Sequence, residues 1–206
     1  DIAKIKELRN RYEDLAVVCY INSTAELKSK SDVCVTSSNA VNIVKALPNK
    51  NIFFIPDRNL GRFVKEQVPE KNIILNDGCC PIHAKITAEQ LIFEKSSHPD
   101  ALVLTHPECE PQVVAMSDFV GSTAEIIEFA KNTTASQFIV CTEEGVDFKL
   151  VTDNPSKHFY FPNPHPCCAD MKLNTPENIL SVLEKEDRVV KVSAEICKKA
   201  TAPLDR

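Results

Sequence analysis

An internal repeat constrains this chain more than any other feature. Residues 14–57 realign on residues 100–143 at a constant offset of 86 and without a gap. Asp14-Leu15-Ala16-Val17-Val18-Cys19-Tyr20 falls on Asp100-Ala101-Leu102-Val103-Leu104-Thr105-His106, Ser31-Asp32 on Ser117-Asp118, and Ser37 on Thr123. With two residues added, Cys80-Pro81-Ile82-His83 aligns with Cys168-Ala169-Asp170-Met171, so a cysteine recurs at one place in each copy, just after its last strand. Duplication explains matching apolar runs, because each copy must build the same core. It does not by itself require a matching cysteine or matching polar strand ends, and those residues carry the functional argument.

The hydrophobic pattern gives each copy the same element order. Ile2, Ile5, Leu8 and Tyr12 recur at helical spacing and predict a lead-in helix over 2–12. Strands are expected at 15–20, 32–36, 51–55 and 72–75, with helices near 24–29, at 40–47 after the capping run Thr36-Ser37-Ser38-Asn39, and to about 67 after the cap Asp57. The second copy repeats this with strands 101–105, 118–120, 137–141 and 158–161, a short helix after Pro111, and helices 122–131 and 143–151. Thr87-Ala88-Glu89-Gln90 reads as a capping box, and Thr175-Pro176-Glu177-Asn178 opens a second helix with proline at its first position. The stretch 186–204 reads as a strand followed by a helix. The fold class is therefore α/β: two pseudo-repeated three-layer αβα units with small parallel sheets, spanning 1–85 and 86–206, the second ending in a C-terminal helix. The helix at 87–95 is placed to pack across both.

Composition narrows the function classes. The balance of 24 basic to 29 acidic residues, with no lysine or arginine run, leaves no electrostatic footprint for nucleic acid. No apolar stretch approaches the roughly 18 residues of a membrane span, and no leader opens the chain, so a soluble cytoplasmic protein is expected. Nine cysteines form an odd count that argues against a complete disulfide framework. Cys19, Cys34 and Cys141 lie in strand-like runs, where cysteine acts as a small hydrophobe.

In open parallel sheets, ligands bind beyond the carboxyl ends of the strands. Tyr20, Asn22, Ser37, His106, Glu108 and Thr123 all fall at such ends. Ser37 and Thr123 also sit at helix starts, where backbone N–H groups attract carboxylate or phosphate, although capping alone explains either hydroxyl. Thr105-His106-Pro107-Glu108 sets an imidazole and a carboxylate two residues apart, an acid/base pair or a solvated loop. Gly78-Cys79-Cys80-Pro81-Ile82-His83 and His165-Pro166-Cys167-Cys168 are candidate ligand loops without the paired spacing of a closed zinc site. One cysteine from each unit suits a soft cluster at a pseudo-symmetry axis, but two thiolates are too few for a four-cysteine iron–sulfur site.

Five motifs in this order, Tyr20-Ile21-Asn22-Ser23-Thr24-Ala25-Glu26, Val35-Thr36-Ser37-Ser38-Asn39-Ala40-Val41, Gly78-Cys79-Cys80-Pro81-Ile82-His83, His106-Pro107-Glu108-Cys109 and Cys168-Ala169-Asp170-Met171-Lys172, resemble the quinolinate synthase family over essentially the whole chain. The resemblance implies three α/β units about a pseudo-threefold axis, each giving one cysteine to a [4Fe–4S] cluster. It also implies condensation of iminoaspartate with dihydroxyacetone phosphate to quinolinate, with release of phosphate and water. By that likeness Cys80 and Cys168 are cluster ligands and Cys79 and Cys167 are bystanders. Glu108 becomes the principal acid/base residue with His106 beside it, Tyr20 and Asn22 hold and polarise substrate, Ser37 and Thr123 bind phosphate or carboxylate, and His83 lines the cleft. Functional coupling to L-aspartate oxidase or aspartate dehydrogenase follows from the substrate.

The family's first unit, with a third cysteine ligand, has no counterpart here. The expectation is therefore the last two thirds of the enzyme, with the third ligand upstream and no turnover by this chain alone. Cys79 stands where many members carry histidine, and Ala124-Glu125 replaces small residues. The competing reading is a two-lobed module closing on a small anion with incidental cysteines, whose affinity would survive replacing Cys80 and Cys168 by serine. A zinc or redox protein ranks third.

Overall fold

The polypeptide, described over residues 2–205 by a computed structural model, forms two four-stranded sheets of identical topology. The first unit runs α1 (Ile2–Arg11), β1 (Ala16–Tyr20), α2 (Ala25–Lys28), β2 (Val33–Val35), α3 (Ala40–Ala46), β3 (Asn51–Ile55), α4 (Arg58–Gln67) and β4 (Asn72–Leu75). The second runs α5 (Ala88–Ser97), β5 (Leu102–Thr105), α6 (Pro111–Val114), β6 (Phe119–Val120), α7 (Thr123–Asn132), β7 (Gln137–Cys141), α8 (Asp147–Asp153) and β8 (His158–Tyr160). Strand orders are β2-β1-β3-β4 and β6-β5-β7-β8, parallel throughout. The repeat extends to register: Val17 pairs with Phe53, and Val103 with Ile139, at the same offset.

The central strands are apolar because helices cover both faces. Ala16 and Val18 face Val44 of α3 and Leu60 and Val64 of α4, while Val17 and Cys19 face Ile5 and Leu8 of α1 and Leu27 of α2. In the second unit Leu104 meets Ile126 of α7 and Leu150 of α8, and Val103 meets Leu91 of α5 and Val113 of α6. Each completely buried Phe or Leu side chain stabilises the fold by about 1.5–3 kcal/mol relative to exposure. The Ser-Asp match in the repeat is structural: Asp32 Oδ2 accepts from Val17 N at 2.7 Å, and Asp118 Oδ2 from Val103 N at 2.8 Å. Each aspartate satisfies a central-strand N–H where the edge strand is only beginning to pair.

The structure departs from sequence expectation in four places. The helix expected to span both units, α5, buries Leu91 in the core of the second. No strand forms before α10 (Ala194–Thr201): Val189 and Val190 are exposed, and Glu186 and Arg188 adopt left-handed backbone at φ 50° and 58°, which interrupts an extended run. Asn39 precedes α3 but does not cap it, since its Oδ1 accepts backward from Thr36 N. Ser122 caps α7 in a capping box with Glu125, leaving Thr123 as the first helical residue. The Thr87–Gln90 capping box forms as expected, and Thr175 caps α9 (Pro176–Lys185). Helix α10 packs on α2, and Pro203 O accepts from Cys34 N at 2.7 Å, returning the C-terminal stretch to the first unit.

Candidate active site

With strand order 2-1-3-4, the order in which strands are added reverses between the first and third strands of each sheet, and the crevice beyond their carboxyl ends is where such folds bind ligands. Tyr20 ends β1, and Asp57 follows β3. In the second unit His106 follows β5, while Thr142 and Glu143 follow β7. Both crevices contribute to one polar cluster. His83 stacks on His106 with ring centroids 4.5 Å apart. His83 Nδ1 lies 3.2 Å from Cys80 Sγ and 3.4 Å from Glu108 Oε2, and its Nε2 lies 3.0 Å from Thr142 Oγ1. Glu108 Oε2 is also 3.3 Å from His106 Nδ1. Ligand atoms of Cys80, His83 and Glu108 lie within 4.8 Å of one another, close enough to hold a metal ion.

The first unit fixes the loop carrying Glu108. Asn59, completely buried in the first turn of α4, donates from Nδ2 to the Glu108 carbonyl at 2.9 Å and receives Arg62 Nη2 at 3.1 Å. Arg58 Nη2 reaches Glu110 Oε1 at 2.7 Å on the same loop. Burial then sets protonation. Removal from water, reinforced by Asp57, pushes the Glu108 carboxyl up to about 8. Burial draws His83 down to about 4 against the pull of Glu143, and His106 down to about 3 with His83 adding to the effect. Near neutral pH the His–Glu contacts are thus close approaches of largely uncharged groups, despite ion-pair distances. Glu108 N donates to His106 Nδ1 at 3.3 Å, which leaves a lone pair on that nitrogen and assigns the ring proton to Nε2.

Tyr20 and Ser37 join from the first unit. Burial, then the charges of Glu108, Asp57 and Cys80, raises the Tyr20 phenol to about 12, against an opposing hydrogen bond with Ser37. Burial is also the main cause that raises the Cys80 thiol, opposed by the backbone N–H groups of His83 and Ile82. Six of the residues singled out in the sequence, Tyr20, Ser37, Cys80, His83, His106 and Glu108, therefore come together. Asn22 and Thr123 are exposed at their strand ends, and neither makes a side-chain hydrogen bond among the described residues.

Sequence reasoning missed the part that two strand-end carboxylates play in holding the cysteine loops. Asp57 is 3% exposed; its Oδ1 accepts from Leu60 N and its Oδ2 from Cys80 N, both at 2.7 Å. At the repeat-equivalent position Glu143 accepts from Gly145 N at 2.7 Å and from Cys168 N at 3.1 Å. The matched acidic pair 57/143 was the available signal, but its partners lie more than 20 residues away in sequence. Thr142 adds the link from His83 to the segment holding Cys168. Gly78 is required sterically, since a Cβ there would lie 2.6 Å from Pro56 O. A second acidic group, Glu143, Glu144 and Cys167, already holds the Lys172 ammonium, at 3.2 Å from Glu143 and 4.0 Å from Glu144. All nine cysteines are free, with Cys80 and Cys168 half-buried and Cys167 exposed. No helix among the described residues is long and apolar enough to cross a membrane.

The family model for NadA, quinolinate synthetase A protein, matches residues 1–206. The quinolinate synthase of Caldicellulosiruptor bescii is 49% identical over 202 residues, covering 98% of this chain and 67% of that protein. That of Caldicellulosiruptor saccharolyticus is 51% identical over 179 residues, covering 87% and 59%, and that of Fusobacterium nucleatum 47% identical over 205 residues, covering 100% and 68%. The chain thus spans about two thirds of the length of these relatives, and as little as 59% of one.

Proposed function

The chain belongs to the quinolinate synthetase A family, and from that premise we propose that it forms the second and third α/β units of a quinolinate synthase, with a boundary between residues 85 and 86. The activity proposed for the whole protein is condensation of iminoaspartate with dihydroxyacetone phosphate to quinolinate, releasing phosphate and water. The observation that carries this reading is the cluster of half-buried Cys80 with buried His83, Glu108 and His106 at the junction of the two strand-end crevices.

The donor set suits a [4Fe–4S] cluster with further ligation upstream. Cys80 and Cys168 are free thiols on repeat-equivalent loops, and soft thiolate donors favour iron–sulfur centres. The cluster, when bound, supplies Lewis acidity toward a substrate heteroatom. The other roles fall to side chains. Tyr20, protonated throughout the physiological range, donates a hydrogen bond to a substrate oxygen without adding charge. Ser37 orients that phenol and, with Asn22 and Thr123, offers neutral donors to carboxylate and phosphate. Glu108, poised near neutrality, releases a proton from Oε2 and recovers it as bonds to the substrate form and break. Neutral His106 and His83 flank that proton and keep the site free of competing charge.

Iminoaspartate would come from L-aspartate oxidase or aspartate dehydrogenase, with all steps in the cytoplasm. The test is quinolinate formation under anaerobic conditions by the full reading frame. Glu108→Gln is expected to lower turnover by roughly 10²–10⁴-fold while leaving bound iron unchanged. A Glu108→Gln enzyme of wild-type turnover would contradict the assignment.

A further inference from the structure

Asp57 is an unusual choice for a buried helix cap. Serine or threonine would satisfy the N–H of Leu60 without burying a carboxylate, and an isolated buried carboxylate is costly. Burial indeed raises this carboxyl, while hydrogen bonds from the N–H groups of Leu60, Cys80 and Asn59 oppose the rise. A two-armed acceptor achieves what a hydroxyl cannot: one oxygen holds the start of α4, and the other holds the backbone N–H of Cys80. Glu143 does the same with a longer side chain, one oxygen on Gly145 N at the start of the helical turn before α8 and the other on Cys168 N. The second unit has diverged in side-chain length yet keeps both arms. A cap alone does not account for that second arm, since Cys80 and Cys168 lie in loops far along the chain.

We infer that Asp57 and Glu143 are paired positioning residues, each clamping a cysteine loop through its backbone N–H so that the Cys80 and Cys168 thiolates are presented to one iron–sulfur ligand. The inference rests on the synthase reading above. In the first unit the short backbone bridge between Asp57 and Gly78 and the Arg58 N–H donating to Gly78 O brace the same loop. In the second unit Lys172 completes the arrangement by pairing with Glu143 at 3.2 Å.

Groups that orient metal ligands typically affect metal affinity by 10–100-fold when replaced. The experiment uses full-length protein, reconstituted anaerobically and challenged with an iron chelator, comparing wild type, Asp57→Ser, Glu143→Gln, Cys80→Ser and Cys168→Ser. Thermal unfolding of each apoprotein serves as a folding control. Asp57→Ser keeps the cap on Leu60 and removes only the arm to Cys80. Release of iron at least tenfold faster from Asp57→Ser and Glu143→Gln, with apoprotein midpoints close to wild type, is the expected result. Wild-type release rates from both variants would overturn the clamp while leaving the synthase reading intact. Undiminished iron in both cysteine variants would instead overturn that reading and the clamp with it. Should Asp57→Ser fail to fold, Asp57→Asn takes its place. It retains one acceptor for Leu60 and turns an amide N–H₂ toward Cys80, so wild-type release from it would equally overturn the clamp.

Discussion

Asn59 illustrates how much of the site depends on residues that never face a ligand. Its amide joins α4 to the Glu108 carbonyl and its oxygen accepts from Arg62, at a contact between the two units. Asn59→Ala leaves a buried carbonyl and a guanidinium N–H without partners, at a cost of about 1–3 kcal/mol, which urea unfolding would measure. An unchanged midpoint would show that water replaces the amide. At this scale the sequence was legible where chemistry was concentrated: Tyr20, Ser37, His106 and Glu108, read at strand ends, lie with Cys80 and His83 of the candidate ligand loop. Asp57 was read as a cap and is one, but its second oxygen serves a cysteine 23 residues on, a pairing that local pattern does not encode. Ser122 and Glu125 teach the converse. The polar run at the start of α7 is largely consumed by its own capping box, and Thr123 is left exposed.

Among the elements, lead helices α1 and α5 occupy equivalent places and bury an apolar residue at the same repeat position, Ile5 at 4% and Leu91 at 0% exposure, with Leu8 buried besides in α1. Helix α9 has the same threonine cap and the same spacing, yet Ile179, in the place of Leu91, is 52% exposed. Leu91→Ala should therefore cost roughly 2–5 kcal/mol in this chain, whereas Ile179→Ala should stay within about 0.5 kcal/mol. Denaturant unfolding of both variants distinguishes them, and equal costs would contradict the burial described. Asp14 gives the corresponding test of pH. Hydrogen bonds from the Asn51 side chain and the Lys50 backbone hold its carboxyl below the ordinary value of 3.8. Its stabilising contribution is complete above that value and is lost as pH falls through the lower folded value, so Asp14→Asn should flatten the acid side of the stability curve. An unaltered curve would remove Asp14 from the account. Periodicity revealed these elements because each strand and helix buries its own apolar residues. It failed at 186–192, where valines suggested a strand but no sheet edge receives them and two left-handed residues interrupt the extension.

For the molecule as a whole, the gap-free repeat made duplication, parallel sheets and strand-end ligand sites readable from the sequence, because register follows from the offset itself. Contacts between units were not readable. Asn59 to Glu108, Arg58 to Glu110 and His83 to Thr142 each join distant segments through ordinary polar residues. The last of these ties His83 of the Cys80 loop to Thr142, the neighbour of Glu143, whose carboxylate accepts from Cys168 N. The central claim is that these two thiols serve one iron–sulfur cluster in a quinolinate synthase. Iron and acid-labile sulfide, measured anaerobically in the full-length protein, test it most directly against Cys80→Ser and Cys168→Ser. The account predicts about four of each per chain in wild type, as a [4Fe–4S] centre requires, and their loss in both variants. Wild-type protein free of iron and sulfide, or variants that retain both in full, would contradict it.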